Sequence, residues 1–197
     1  ERLGVKIGDT VVVEKAGDII PKIVRVLEKM RRGDEGRIDL PKVCPVCGGQ
    51  VGKKGLKNSE EKEGELVALY CLNPKCYAQE LERIAHFVGK HAFDIDGCGI
   101  KIVEQLLNEG LIQDAADLFT LKVGDLLPLE RFAEKSAENL VSSITAARSV
   151  SLARFLVALS IPHVGEETAE DIAEHFGTLE KIKEASIEQL YEVYGIG

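Results

Sequence analysis

Apolar and polar positions alternate over the first 27 residues. Val5 and Ile7, Thr10 to Glu14 (T-V-V-V-E) and Ile19 to Val26 (I-I-P-K-I-V-R-V) read as strands, with Gly8-Asp9 and Gly17-Asp18 as the turns between them. Two or three strands are too few to be stable alone, so they predict the last part of a small β-barrel. Residues 28–43 are charged and contain glycine, which predicts a linker; Arg31, Arg32 and Arg37 within it are candidates for phosphate contact or for plain solvated charge. A further strand is expected over Glu65–Cys71 (E-L-V-A-L-Y-C).

Beyond Cys76 the period changes from two to 3.6. Tyr77 to His91 places Leu81, Ile84, Ala85 and Val88 on one face, and Ile100 to Asn108 starts a second helix that Gly110 stops. Further helices are predicted at Ala133 to Arg148, Leu152 to Leu159 and Glu166 to Phe176, the last closed by Gly177. Ser151 and Ser186 are N-cap candidates, and Ser186 with Gln189 has the spacing of a capping box.

The helical part repeats. Ile95-Asp-Gly-Cys-Gly99, Leu129-Glu-Arg-Phe-Ala133, Ile161-Pro-His-Val-Gly165 and Val193-Tyr-Gly-Ile-Gly197 start 34, 32 and 32 residues apart. Each copy reads as helix, short hairpin, helix. Glycine permits a left-handed turn and close approach of a ligand to the backbone. The unpaired N–H groups that open the next helix suit an anion such as a nucleic-acid phosphate. The alternative is four structural turns capped by glycine. Register across copies favours phosphate, with Gly97, Gly99, Lys101, Lys135, Gly165, Thr168, Gly195 and Gly197 as the candidate contacts. The second copy lacks both glycines and is expected to be structural or to use Lys135 as a point charge.

Five cysteines change the picture between the two patterns. Cys44 and Cys47 (C-P-V-C) and Cys71 and Cys76 (C-L-N-P-K-C) form two close pairs. Two such pairs on tight turns can converge on one ion as a closed Cys₄ zinc site, with Pro45, Gly48, Asn73 and Pro74 as the turn residues. Four thiolates leave no open position, so the expected role is structural, with metal binding supplying folding energy. The alternative is four buried or disulfide-paired cysteines. Cys98, distant from both pairs, reads as a small buried residue.

The net charge of −8 argues against a nucleic-acid partner until it is divided. Residues 1–43 carry ten basic and eight acidic side chains, residues 44–79 five and four, and residues 80–197 ten and 21. DNA binding by the acidic part must therefore rest on backbone geometry, without base specificity. No apolar run is long enough to span a membrane and no secretory signal opens the chain. Reduced thiolates suit the cytoplasm. The abrupt start at Glu1 and the stop at Gly197 predict a fragment. There is no phosphate-binding nucleotide loop, no nucleophile motif and no convincing carboxylate pair.

The stretches G-D-T-V-V-V-E-K-A-G-D-I-I-P-K (8–22), C-P-V-C, H-F-V-G-K-H-A-F-D-I-D-G (86–97), R-F-A-E-K-S-A-E-N-L (131–140) and H-V-G-E-E-T-A (163–169) closely resemble the bacterial NAD⁺-dependent DNA ligase family. The resemblance implies a multidomain, mainly α fold. Residues 1–43 would be the C-terminal part of an OB-fold barrel with its linker, and 44–79 a Cys₄ zinc finger or ribbon. Residues 80–197 would be four helix-hairpin-helix repeats, the last truncated. It implies a non-catalytic, DNA-binding portion of an enzyme that seals nicks through an enzyme–AMP intermediate in replication and repair. Its adenylation and BRCT domains would lie elsewhere in the parent chain, which uses NAD⁺ and Mg²⁺. No Lys-x-Asp-Gly adenylation motif is present, so the fragment alone should be inactive. By the same resemblance Lys15, Ile19 and Ile20 face duplex DNA near the nick, in the minor groove. Competing readings are a DNA-structure-binding module of another repair protein and a scaffold that joins domains.

Overall fold

The computed structural model describes residues 3–17, 19–52 and 69–196. It forms two compact units, Glu1–Leu72 and Asn73–Gly197. The protein is mainly helical, with a small strand portion.

In the first unit β1 (Val11–Ala16) pairs antiparallel with β2 (Ile20–Val26), joining Lys15 to Pro21 and Ala16 to Ile20. The register shifts between Val12 and Val13, a bulge that leaves Val24 out of the pairing and twists the ribbon. Val5 and Ile7 do not form a strand. Ile7 makes an isolated bridge to Gly36 instead, which brings the segment after the ribbon back onto the chain start. Arg31 secures that return. Its Nε and Nη2 donate to the two carboxylate oxygens of Asp9 at 2.7 and 2.8 Å, and Nη2 also donates to the Gly4 carbonyl at 2.9 Å. Arg31 is thus a structural clamp and not a phosphate ligand. The Asp9 side chain, 1% exposed, takes a bidentate guanidinium that satisfies both its oxygens. β3 (Val51–Gly52) pairs with β4 (Tyr70–Cys71). Tyr70–Cys71 lies at the end of the predicted 65–71 strand; its earlier residues 65–68 lie outside the described residues, as does Asp18.

The second unit holds eight α-helices among the described residues. They are α1 (Tyr77–Phe87), α2 (Ile100–Asn108), α3 (Val123–Leu126), α4 (Glu134–Ala146), α5 (Leu152–Ala158), α6 (Glu166–Phe176), α7 (Leu179–Glu184) and α8 (Ile187–Tyr191). α1 stops four residues short of the predicted His91. At Gly89 the chain folds back: a Cβ there would sit 3.0 Å from the His86 carbonyl oxygen. The backbone N–H groups of Phe93 and Ile95 donate to the carbonyls of Phe87 and Val88. Gly177, at φ 74°, closes α6 as expected. The two predicted caps form: Ser151 accepts from the Arg154 N–H, and Ser186 and Gln189 exchange bonds at 3.3 and 2.9 Å. α3 and α7 have too few apolar positions to show a 3.6 period, and for α7 the legible signal is its Thr178 cap.

Two hydrophobic clusters organise these helices. The first gathers Ile84, Val103, Leu106, Leu118, Leu126 and Leu140, each nearly or fully inaccessible, with Ile95 and Leu129 from the first two repeats. The second gathers Leu156, Val157, Ala169, Ile172, Phe176 and Val193. With no Trp in the chain, aliphatic side chains predominate in both, joined by Phe93 in the first and Phe176 in the second, and burial of this kind contributes ~1.5–3 kcal/mol per large residue. Each cluster is the shared core of two neighbouring repeats, because one helix pair cannot bury its apolar face alone.

Candidate metal centre and nucleic-acid interface

The sulfurs of Cys44, Cys47, Cys71 and Cys76 all lie within 4.8 Å of one another. Local turns bring them there. After Cys44 the chain reverses at Gly48 (φ 68°), whose N–H donates to the Cys44 carbonyl at 2.9 Å, while the Cys44 N–H donates to Gly49 O at 2.7 Å. Before Cys76 the Asn73 side chain accepts from the Lys75 N–H, and Asn73 O accepts from the Cys76 N–H. The β3–β4 pairing sets Cys71 opposite Val51.

The donor set fits a metal. Tetrahedral thiolates at the ~2.3 Å zinc–sulfur distance stand roughly 3.8 Å apart, close to the 3.5 Å between the Cys47 and Cys71 sulfurs. No disulfide joins these cysteines, so the disulfide alternative is not realised. Backbone N–H groups of Cys47 and Val46 aimed at the Cys44 sulfur hold its pKa below the ordinary value, and Gly49 N–H points at the Cys47 sulfur. Cys76 is the N-cap of α1, where the helix favours negative charge. Each feature stabilises the thiolate that a metal needs. Cys98 sits apart, 2% exposed, with its pKa pushed up to about 11 by burial.

The four hairpins share one backbone. In each, the N–H of the fourth residue donates to the carbonyl of the first: Cys98 to Ile95, Phe132 to Leu129, Val164 to Ile161 and Ile196 to Val193, at 3.1–3.2 Å. In each, the third residue is left-handed: Gly97 at 77°, Arg131 at 67°, His163 at 66° and Gly195 at 78°. A four-residue turn with positive φ at its third position is the type II pattern. In the first three the fifth residue then caps the next helix. Gly99, Ala133 and Gly165 have φ of −71°, −105° and −87°, and their carbonyls accept from Val103, Ala137 and Ala169.

The second hairpin, which lacks both glycines, has the same turn as the others. One expectation changes: Gly99 and Gly165 are not left-handed, and a Cβ on either would meet nothing within 4 Å. What glycine leaves open there is the space in front of the helix N–H groups. Arg131 and His163, both within the hairpins read from the repeat, hold the left-handed position without glycine, which the repeat spacing alone did not show.

Lys101 and Lys135 occupy the same register, second in α2 and α4, and both are exposed. Gly97 and Arg131 border one cavity of about 310 Å³, so the structure brings the first two hairpins together. The third differs in charge: Glu166 and Glu167 open α6, and Glu166 bonds His91 at 2.8 Å. Thr168, third in α6, is half-buried. Gly195 is exposed, and Gly197 lies outside the described residues. Lys15, Ile19 and Ile20 cluster at one end of the first unit's ribbon, with Ile19 85% exposed. Among the described residues no helix is long and apolar enough to cross a membrane.

Known proteins match at the same places. Residues 1–35 match the family described as the NAD-dependent DNA ligase OB-fold domain, and residues 154–197 match the helix-hairpin-helix motif. Proteins named DNA ligase from Saccharophagus degradans, Lysinibacillus sphaericus and Geotalea uraniireducens are 47%, 46% and 45% identical to this chain over 100%, 98% and 100% of it. The chain spans 28% of the length of each of these relatives. With its ribbon, its cysteine cluster and its repeated hairpins in this order, the chain belongs to the NAD-dependent DNA ligase family, as a segment of such a protein.

Proposed function

We propose that this segment grips duplex DNA for a ligase whose bond-forming chemistry is carried out by other parts of the parent protein. The observation that carries the reading is the common hairpin backbone. Four turns share one geometry, and the first three are each followed by an N-cap, at Gly99, Ala133 and Gly165, where a helix opens with N–H groups that lack a partner within the helix. Such groups attract phosphate without cationic side chains, which suits a unit as acidic as residues 80–197. Phosphate carries no base information, so the grip is indifferent to sequence.

In this reading Gly97, Gly99, Gly165, Gly195 and Gly197 allow close approach of the backbone. Lys101, Lys135 and Thr168 add side-chain contacts. Lys15, Ile19 and Ile20 meet the minor groove near a nick. Residues 1–43 act as part of an OB-fold, 44–79 as a finger and 80–197 as the helix-hairpin-helix part. The four cysteines hold zinc, because an all-thiolate, closed set suits a structural ion of that kind. NAD⁺ and Mg²⁺ serve the whole protein in forming enzyme–AMP and sealing the nick. No residue of this chain is assigned a step in that chemistry. The adenylation and BRCT domains are its partners in the parent chain, and the cytoplasm is its compartment.

Titration of the chain with nicked and intact duplexes at several salt concentrations tests the reading. Binding that is independent of base sequence and tighter on the nicked duplex is expected. Absence of binding to either duplex at low salt contradicts it.

A further inference from the structure

The second unit contains a cavity of about 720 Å³ that none of the hairpin residues lines. Its aromatic side is a cluster of phenylalanines. Phe87 and Phe93 stack with centroids 4.0 Å apart and planes 17° from parallel; Phe119 and Phe155 approach Phe93 at 5.6 and 6.4 Å. Phe87, Phe119 and Phe155 are only partly buried, so ring surface faces the cavity. Leu179 lines it as well.

Among the described residues lining the cavity, Arg148 is the one charged group. Its guanidinium carbon lies 5.8 Å from the Phe119 centroid, and its Nη2 donates to the Phe119 carbonyl. Its Nε and Nη1 make no hydrogen bond to the described residues. Arg154 is a contrast: Nε and Nη2 donate to the carbonyls of Ala92 and Lys90 at 2.7 Å each, and its guanidinium is committed to the fold. Arg148 is held in place by one bond and one ring, with donors left over.

We propose that this cavity binds a small planar aromatic anion. Volume, largely apolar walls and a single charged anchor are those of a small-molecule site, whose usual range is about 300–1,000 Å³. A flat ring stacks on phenylalanine faces or edges. A carboxylate or sulfonate on that ring takes the spare guanidinium donors as charge-assisted hydrogen bonds. A cationic ligand would be repelled by Arg148, and a neutral one would leave it unused. The inference is independent of the DNA-gripping role.

The probe is 8-anilinonaphthalene-1-sulfonate, with uncharged N-phenyl-1-naphthylamine as its control, added to the folded chain. The sulfonate should bind saturably at one site, shifting the methyl resonances of Val150 and Leu179. Arg148→Gln should weaken it by about tenfold or more, the loss of a charge-assisted hydrogen bond, and change the neutral probe by less than about twofold. Ala116→Trp, which fills the cavity mouth, should weaken both. Binding that does not saturate, methyl shifts elsewhere in the chain, or equal responses of the two probes to Arg148→Gln would overturn the proposal. The methyl shifts in the unaltered chain decide the location even if a variant fails to fold.

Discussion

Asp9 shows how much one side chain can fix. Its carboxylate is held at a pKa of about 2 against an ordinary 3.8, chiefly by the Arg31 guanidinium and further by the Lys6 N–H. A depressed folded pKa means that the pair's contribution to stability is fully present above the unfolded value and is lost as pH falls through the folded one. The first unit should therefore lose stability between about pH 4 and pH 2. Asp9→Asn should be less stable at neutral pH and show a flatter acid limb. An acid limb identical to that of the unaltered chain would contradict the clamp. The hairpin turn makes a second statement at this scale. Gly97 is left-handed and Gly99 is not. Gly97→Ala should cost about 1–2 kcal/mol, and Gly99→Ala less than ~0.5 kcal/mol, by chemical denaturation. Equal losses would mean that the turn is assigned to the wrong residue. Glycine content alone does not mark these positions, since Arg131 and His163 hold the same φ.

At the scale of elements, the sequence carried what is periodic and what is local. α2 and α6 form with the bounds their apolar spacing predicts, and the Ser151 and Ser186 caps are made as read. The cysteine pairs were legible because knuckle spacing is a local constraint. α1 was overextended, since the reversal at Gly89 depends on Phe93 and Ile95 returning to the end of the helix, a contact that periodicity does not show. Arg31 was assigned to solvent or phosphate because its partner, Asp9, lies 22 residues earlier. The aromatic cavity was invisible for the same reason: its walls come from four separate stretches of chain. The cysteine centre gives a prediction of its own. The chain should hold one zinc ion, and Cys71→Ser should weaken or abolish it. Cys98→Ser should keep it, and the buried Cys98 thiol should resist alkylation at pH 8 until the chain unfolds. Zinc retained in full by Cys71→Ser, or lost from Cys98→Ser, would refute the assignment.

For the whole molecule the proposed grip raises the question of how an acidic chain would hold DNA. A basic surface would predict that lysines dominate and that binding collapses with salt. Hairpin amides predict that the space in front of a helix matters more than nearby charge. Gly165 is suited to deciding between them. Its φ of −87° accommodates any residue, and a Cβ there meets nothing within 4 Å, so a substitution can block a ligand without straining the fold. The most direct measurement is therefore the affinity of Gly165→Val and Lys183→Ala for nicked duplexes of two different sequences. Gly165→Val should weaken both duplexes alike, by the ~1.5–3 kcal/mol of a charge-assisted hydrogen bond, while Lys183→Ala, on α7, changes little. A larger loss in Lys183→Ala, or a glycine variant that alters sequence preference, would contradict the hairpin grip.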